Sequence, residues 1–270
     1  MSPFPPDMGD RRPHLYDGVD ECGVARARPS LRTIAHHTTV TERTQPLSIE
    51  HILHTLEGDV DVLDPRPEQF HLSAISRALS RIPRWCGHTP LAISVAQHSL
   101  LVSEIIASPL HYELPELDGE RESDLLHVPA KKLQLIALLH DAAEAYIGDI
   151  PSPVKNLPAI APIRLLEALL LENIFIKFEI PFAGANAWSL PASVKMADAA
   201  ALKIERMLLF DLTVHGDASA SLAAREALLS GNWFRSVVEI FSLSQPDARD
   251  RFEAMVSTLS RSDDKGETGA

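Results

Sequence analysis

The sequence predicts an all-α protein: a helical bundle with one short extended ribbon near its N-terminus. Three observations carry that reading. Apolar residues recur at helical spacing through most of the chain after about residue 70. Leu, Ala and Ile dominate, while aromatics make up 6% and only 12 glycines are present. The one stretch that alternates apolar and polar residues is confined to 58–64, where it stops at Pro65. With 270 residues, 45% of them hydrophobic and 23% charged, the chain is long enough to bury a proper core.

In chain order, residues 1–45 are polar, rich in Pro, Arg and Thr, and show neither helical nor strand periodicity. They are expected to be a disordered or loosely packed leader. His36 and His37 fall in it, and an idle polar tail explains them better than a metal pair. Residues 48–53 fit a short helix or an extended piece, and 58–64 the ribbon. A helical stripe of Leu72, Ile75, Leu79 and Ile82 predicts a helix over 71–82, ended by Pro83. Arg84-Trp85-Cys86-Gly87-His88-Thr89 then reads as a loop.

Residues 91–107 form the next expected helix, with Gln97-His98-Ser99 interrupting its apolar positions. The acidic stretch 109–129 reads as a solvated insert. A central helix is expected over 130–146 and a strongly apolar one over 163–178, the latter suited to the core or to an oligomer surface. Pro191 opens a helix over 192–210. Amphipathic helices at 223–229, 234–243 and 247–259 complete the chain, and 261–270 is expected to fray. The sum is one helical domain over 46–260.

Composition narrows the function classes. A formal charge of −12 disfavours broad binding to nucleic acid or to an anionic membrane. No apolar run reaches the roughly 18 residues a membrane span needs. The N-terminal residues lack the basic and apolar regions of a secretory signal. Cys22 and Cys86 form neither a metal knuckle nor a disulfide framework. A cytoplasmic protein with reduced thiols is expected.

The most informative stretch is 138–153. A greasy helix ends in His140-Asp141, with Glu144 four residues after the histidine and therefore on the same helical face. Gly148, Pro151 and Pro153 stop the helix and leave Asp149 on the turn beyond. Burying such groups without a role is costly. A His-Asp pair alone is a weak motif, but His98 upstream and Asp198 downstream lie on two other predicted helices, each among apolar neighbours. Isolated, each would read as a satisfied core residue. Together, two imidazoles and two carboxylates make a mixed N/O donor set for a divalent transition ion, without the thiolates of a closed structural zinc site. Mn, Co, Fe or Zn suits it better than Mg.

The order His98, His140-Asp141, Asp198 resembles the HD superfamily of metal-dependent phosphohydrolases. Arg84-Trp85 ahead of His98, His140-Asp141-x-x-Glu144, Asp149-Ile150-Pro151-Ser152-Pro153 and Val194-Lys195-Met196-Ala197-Asp198 are similar to the YfbR-like 5'-deoxynucleotidase branch. The resemblance covers about 70–210; the leader and the 109–129 insert have no counterpart in it. The segments around Gly87-His88-Thr89 and Ser94–Ser99 look more like phage and bacterial relatives of that branch, one of which, a phage enzyme, strips triphosphate from dATP.

The resemblance implies one divalent metal held by His98, His140, Asp141 and Asp198, binding a phosphoryl oxygen and activating a water for attack on phosphorus. It implies that Glu144 orients or deprotonates that water and that Asp149 protonates the leaving oxygen or positions the nucleophile, with the two roles exchangeable. Arg84 would contact the phosphoryl oxygens, Trp85 would wall the sugar or base, and Ser152 and Lys155 would touch phosphate. The bland readings are a surface Glu144, an Arg84 paired only with a carboxylate, a core Trp85 and a solvated Lys155; His71 and His88 are read as structural.

The expected activity is removal of the 5'-phosphate from deoxynucleoside monophosphates. The alternatives are a deoxynucleoside triphosphate triphosphohydrolase on the same site, a catalytically weak nucleotide-sensing module and a bare helical interaction domain. A small nucleotide is the expected partner, with neither nucleic acid nor membrane, and a homodimer is compatible with the 163–178 helix.

Overall fold

A computed structural model describes residues 51–108, 128–180, 190–210 and 232–261. The leader with His36 and His37, insert positions 109–127, the helix expected at 223–229 and the tail beyond 261 lie outside the described residues. All that follows belongs to one compact unit, Gln45–Ala270.

The architecture is all-α with a single two-stranded ribbon among the described residues. Strand β1 (Ile52–His54) runs antiparallel to β2 (Asp59–Asp61), with Leu53 opposite Val60. Val60 points into the core while Asp59 stays exposed, the alternation a half-buried strand requires. Gly58 closes the turn at φ 142°, a backbone conformation that disfavours a side chain.

Helix α1 (Leu72–Leu79) buries Ile75 and Leu79, and the chain leaves it toward Pro83. Helix α2 (Val95–Ala107) starts four residues later than expected because Ser94 caps it. The Ser94 hydroxyl accepts from the Gln97 amide, and the Gln97 side chain accepts from the Ser94 amide. Nearly all of α2 is buried, so it is apolar around most of its circumference, as a central helix must be. It packs on α3 (Ala130–Leu139), α7 (Ala192–Leu209), α8 (Asn232–Phe241) and α9 (Gln245–Ser260). Gln97 also donates through Nε2 to the carbonyls of Ile240, at 3.0 Å, and Phe241, at 3.2 Å, which satisfies the end of α8.

The helix expected over 130–146 is broken. Helix α3 ends at Leu139, and after a tight turn α4 (Glu144–Ile147) resumes. Across the join the amides of Ala142, Glu144 and Tyr146 bond to the carbonyls of Leu139, Asp141 and Ala143, three residues back rather than four. His140 Nδ1 donates to the Ala137 carbonyl at 2.8 Å, the acceptor that an undisturbed helix offers to the Asp141 amide. The i, i+4 argument for a face shared by His140 and Glu144 therefore does not carry through this turn. Short helix α5 (Ser152–Lys155) and the long α6 (Ala161–Lys177) follow. Helix α6 keeps Leu165 and Ile176 exposed while burying Leu170, Ile174 and Phe175. No described helix is long and apolar enough to cross a membrane.

Candidate functional site

Three helices meet where the sequence placed its donors. His98 lies one turn into α2, His140 and Asp141 at the end of α3, and Asp198 on the second turn of α7. Helix α7 presents a buried stripe of Val194, Ala197, Ala201 and Ile204 to the core, which fixes its rotation about its own axis. His98, His140 and Asp141 each bring one donor atom within 4.8 Å of the others. His98 Nε2 is 3.6 Å from Asp141 Oδ2, and His140 Nε2 is 3.2 Å from the same oxygen. Asp198 Oδ1 stands 3.1 Å from His98 Nε2 and 3.8 Å from His140 Nε2. Both Nε2 atoms are sealed from solvent, and no aligned hydrogen-bond partner among the described residues satisfies either. Close approach to carboxylate oxygens without a proper hydrogen bond is what a cation between them would resolve. The donor set fits a divalent ion.

The charges support one another. Burial, the largest influence, and Arg84 both oppose a proton on His98, yet Glu205 and Asp198 outweigh them and raise its pKa. Burial likewise opposes charging His140, and Asp141 and Asp198 overcome it. Asp141 and Asp198 sit well below the ordinary carboxylate range: burial alone would raise them, but the two imidazoles prevail.

A second wall is built differently. Glu144 is buried, and Lys155 Nζ lies 3.1 Å from its Oε1 and 2.8 Å from Glu167 Oε1. Burial first, then the negative charges of Asp141 and Asp149, push Glu144 up to about 9 despite Lys155. Lys155 is itself raised although burial disfavours its charge. Glu144 first, then Glu167, outweigh burial there and keep the ammonium charged. Asp149 is also raised, by burial and by Asp141, against the pull of Arg84.

Arg84 links the two walls. Its guanidinium lies 3.9 Å from both Asp141 Oδ2 and Asp149 Oδ2. The segment that carries it is closed like a hairpin: the Arg84 amide donates to Ile93 O at 2.9 Å and the Val95 amide to Ile82 O at 3.0 Å. Within it, Trp85 and Cys86 take left-handed backbone angles, φ 57° and 51°. Such residues cost on the order of 1–3 kcal/mol each and need outside support. Trp85 receives it from Phe210, whose ring meets its own edge-on at 5.1 Å, and from a hydrogen bond it donates through Nε1 to Glu205.

Of the residues singled out from sequence, the fold gathers Arg84, His98, His140, Asp141, Asp198, Glu144, Asp149 and Lys155, with Trp85 at the edge. Ser152 is exposed at the start of α5 and has no hydrogen bond into this cluster among the described residues. His71 is the N-cap residue of α1, and His88 is exposed. Two participants escaped the sequence reading: Glu167, behind Lys155, and Glu205, fully buried on α7 seven residues beyond Asp198. Glu205 interrupts an apolar stripe, which was the available signal.

Parts of the chain are similar to known proteins. A family model described as 5'-deoxynucleotidase YfbR-like matches residues 71–161, which include Arg84, Trp85, His98, His140, Asp141, Glu144, Asp149 and Lys155 but not Asp198, Glu167 or Glu205. An uncharacterized protein of Rhodobacter capsulatus is 35% identical over 144 residues, 53% of this chain and 62% of that protein. The uncharacterized protein YfdR of Escherichia coli is 34% identical over 86 residues, 32% of this chain and 35% of that one. The 5'-deoxynucleotidase YfbR of Shigella boydii is 32% identical over 89 residues, 33% of this chain and 41% of that one. The chain thus spans less than two thirds of the length of each of these relatives. The resemblance to the YfbR-like branch of the HD superfamily stands.

Proposed function

We propose that this chain is a metal-dependent phosphohydrolase that removes the 5'-phosphate of deoxynucleoside monophosphates. The observation that carries the reading is the pair of buried, unsatisfied Nε2 atoms of His98 and His140 facing the carboxylates of Asp141 and Asp198. His98, His140, Asp141 and Asp198 would hold one divalent transition ion, Mn, Co, Fe or Zn rather than Mg. When bound, such an ion supplies positive charge for a phosphoryl oxygen and acidifies water at neutral pH. The similarity to a protein named 5'-deoxynucleotidase supports the substrate class.

The chain's own groups divide the remaining work. Arg84, held between Asp141 and Asp149, offers its fork to the phosphoryl oxygens and stabilises the charge that spreads over them in the transition state. Glu144 and Asp149 are both carboxyls with raised pKa beside Arg84, the condition for handing protons on near neutral pH. One of the two takes the proton of the attacking water and the other delivers a proton to the leaving 5'-oxygen; Glu144, held up at about 9, carries its proton at neutral pH and so suits the delivering role. Trp85 gives the sugar a flat apolar wall, where a 2'-hydroxyl would be crowded.

The test is hydrolysis of dNMP, NMP and dNTP with Mn²⁺, Co²⁺, Zn²⁺ and Mg²⁺, scored by product. Inorganic phosphate from dNMP, with NMP slower, is expected. Triphosphate released from dNTP would move the substrate to the triphosphohydrolase class on the same site. No turnover of any nucleotide with any ion would end the enzyme reading.

A further inference from the structure

Glu205 has no part in the chemistry above, yet its side chain is fully enclosed, with 0% exposure, next to the cluster. Its two oxygens serve different groups. Oε1 lies 2.6 Å from His98 Nδ1. Oε2 accepts from Trp85 Nε1 at 3.0 Å and from Arg84 Nη2 at 3.3 Å. A buried carboxylate satisfied on both oxygens by three residues from two other segments is a hub rather than a chance inclusion.

Each half of the hub has a consequence. By accepting the Nδ1 proton, Oε1 fixes the His98 tautomer and leaves Nε2 bare toward Asp141 and Asp198. His140 reaches the same tautomer through a neutral acceptor, the Ala137 carbonyl. His98 alone is set by a full negative charge, which also makes its ring a stronger donor. Meanwhile Oε2 holds Arg84 and Trp85, the latter at a left-handed φ of 57° that local sequence does not favour. Helix α7 carries both Asp198 and Glu205, so one rigid element fixes a cation donor and the support of the arginine loop together.

We propose that Glu205 is a positioning residue that presents His98 Nε2 to the cation and, through its other oxygen, locks the Arg84-Trp85 loop beside it. The seat of the metal and the loop that receives the phosphoryl group are thereby coupled through one carboxylate. This rests on the metal-dependent reading of the site. On this reading Glu205→Gln should not substitute. An amide offers one acceptor and one donor group where both oxygens now accept, so it must oppose either the His98 N–H or the Trp85 and Arg84 donors.

The experiment is Co²⁺ affinity by equilibrium dialysis on the full chain as wild type, Glu205→Gln and His140→Ala, each checked for wild-type helix content by circular dichroism. Folded Glu205→Gln should bind Co²⁺ about 10–100-fold more weakly, with KM for dNMP raised as well, while His140→Ala should bind none. Wild-type affinity in folded Glu205→Gln, alongside loss in His140→Ala, would overturn the role of Glu205 and leave the metal reading intact. A wild type that binds no Co²⁺ would take both down. Should Glu205→Gln fail to fold, ¹⁵N NMR of the zinc-loaded wild type decides: a proton on His98 Nδ1 supports the inference, and a proton on Nε2 overturns it.

Discussion

On one side of the site, Asp141 and Asp198 face the imidazoles of His98 and His140; on the other, Glu144 and Asp149 face the negative charge of Asp141 with Lys155 and Arg84 behind them. All four are carboxyls in the same cluster, but their affinities for protons move in opposite directions. Neighbouring imidazoles drive the first pair far down, while burial and like charge drive the second pair up, Glu144 to about 9. Groups that stay ionised suit a cation. Groups that can hold and release a proton suit acid–base work. The difference supports the proposed division into cation donors and acid–base groups, which residue type alone leaves ambiguous.

The strongest way to break the comparison is to remove a donor from the first side. His140→Ala deletes one of the two buried Nε2 atoms and leaves Asp141 without its nearest imidazole, at 3.2 Å. Hydrolysis should fall to background at any metal concentration that saturates the wild type. Full turnover in His140→Ala with metal bound would show that the cluster is a structural one.

On the second side, Glu144→Gln should behave differently. The amide keeps nearly the same shape but can neither take nor give the proton, so kcat should drop roughly 10²–10⁴-fold while Co²⁺ affinity stays at the wild-type value. Loss of metal in this variant would erase the division between the two sides.

How far this division was legible in the sequence depends on the distance over which each signal acts. His98, His140, Asp141 and Asp198 were readable because each is a metal-type donor embedded in a helical apolar run, and helices keep their register. The ribbon and the helix starts after Pro129 and Pro191 were readable because Pro and turn residues act locally, whereas α1 stops at Leu79, short of the end expected at Pro83. The break after Leu139 was not, since 133–146 contains no Gly or Pro; it follows from a side chain competing for a backbone carbonyl. Nor was the left-handed turn at Trp85-Cys86, because neither residue type favours positive φ and its support comes from Phe210 and Glu205. Glu205 gains meaning only when folding brings it to Arg84, 121 positions away in sequence.

Lys155→Met sharpens the comparison by shifting one group rather than deleting it. Lys155 lowers the Glu144 pKa against burial and its acidic neighbours. Removing that positive charge makes ionised Glu144 less favourable, so its pKa must rise further. If Glu144 is the base, its active form is the deprotonated one, and the acidic limb of the kcat profile moves to higher pH. If it is the acid, the basic limb moves up instead. A profile with neither limb displaced would remove Glu144 from proton transfer altogether.

The smallest effect separates holding the helix from holding the site. Ser94→Ala removes the hydroxyl that caps α2 one turn before His98, a loss of about 1 kcal/mol of stability. Other ties keep the helix start in place: the Val95 amide on Ile82 O at 3.0 Å and the Gln97 side chain on the carbonyls of Ile240 and Phe241. His98 is oriented from α7 by Glu205, not by the cap. The urea midpoint should therefore fall while Co²⁺ affinity remains that of the wild type. A weakening of the metal comparable to that expected of Glu205→Gln would mean that the start of α2, rather than the carboxylate on α7, sets the imidazole.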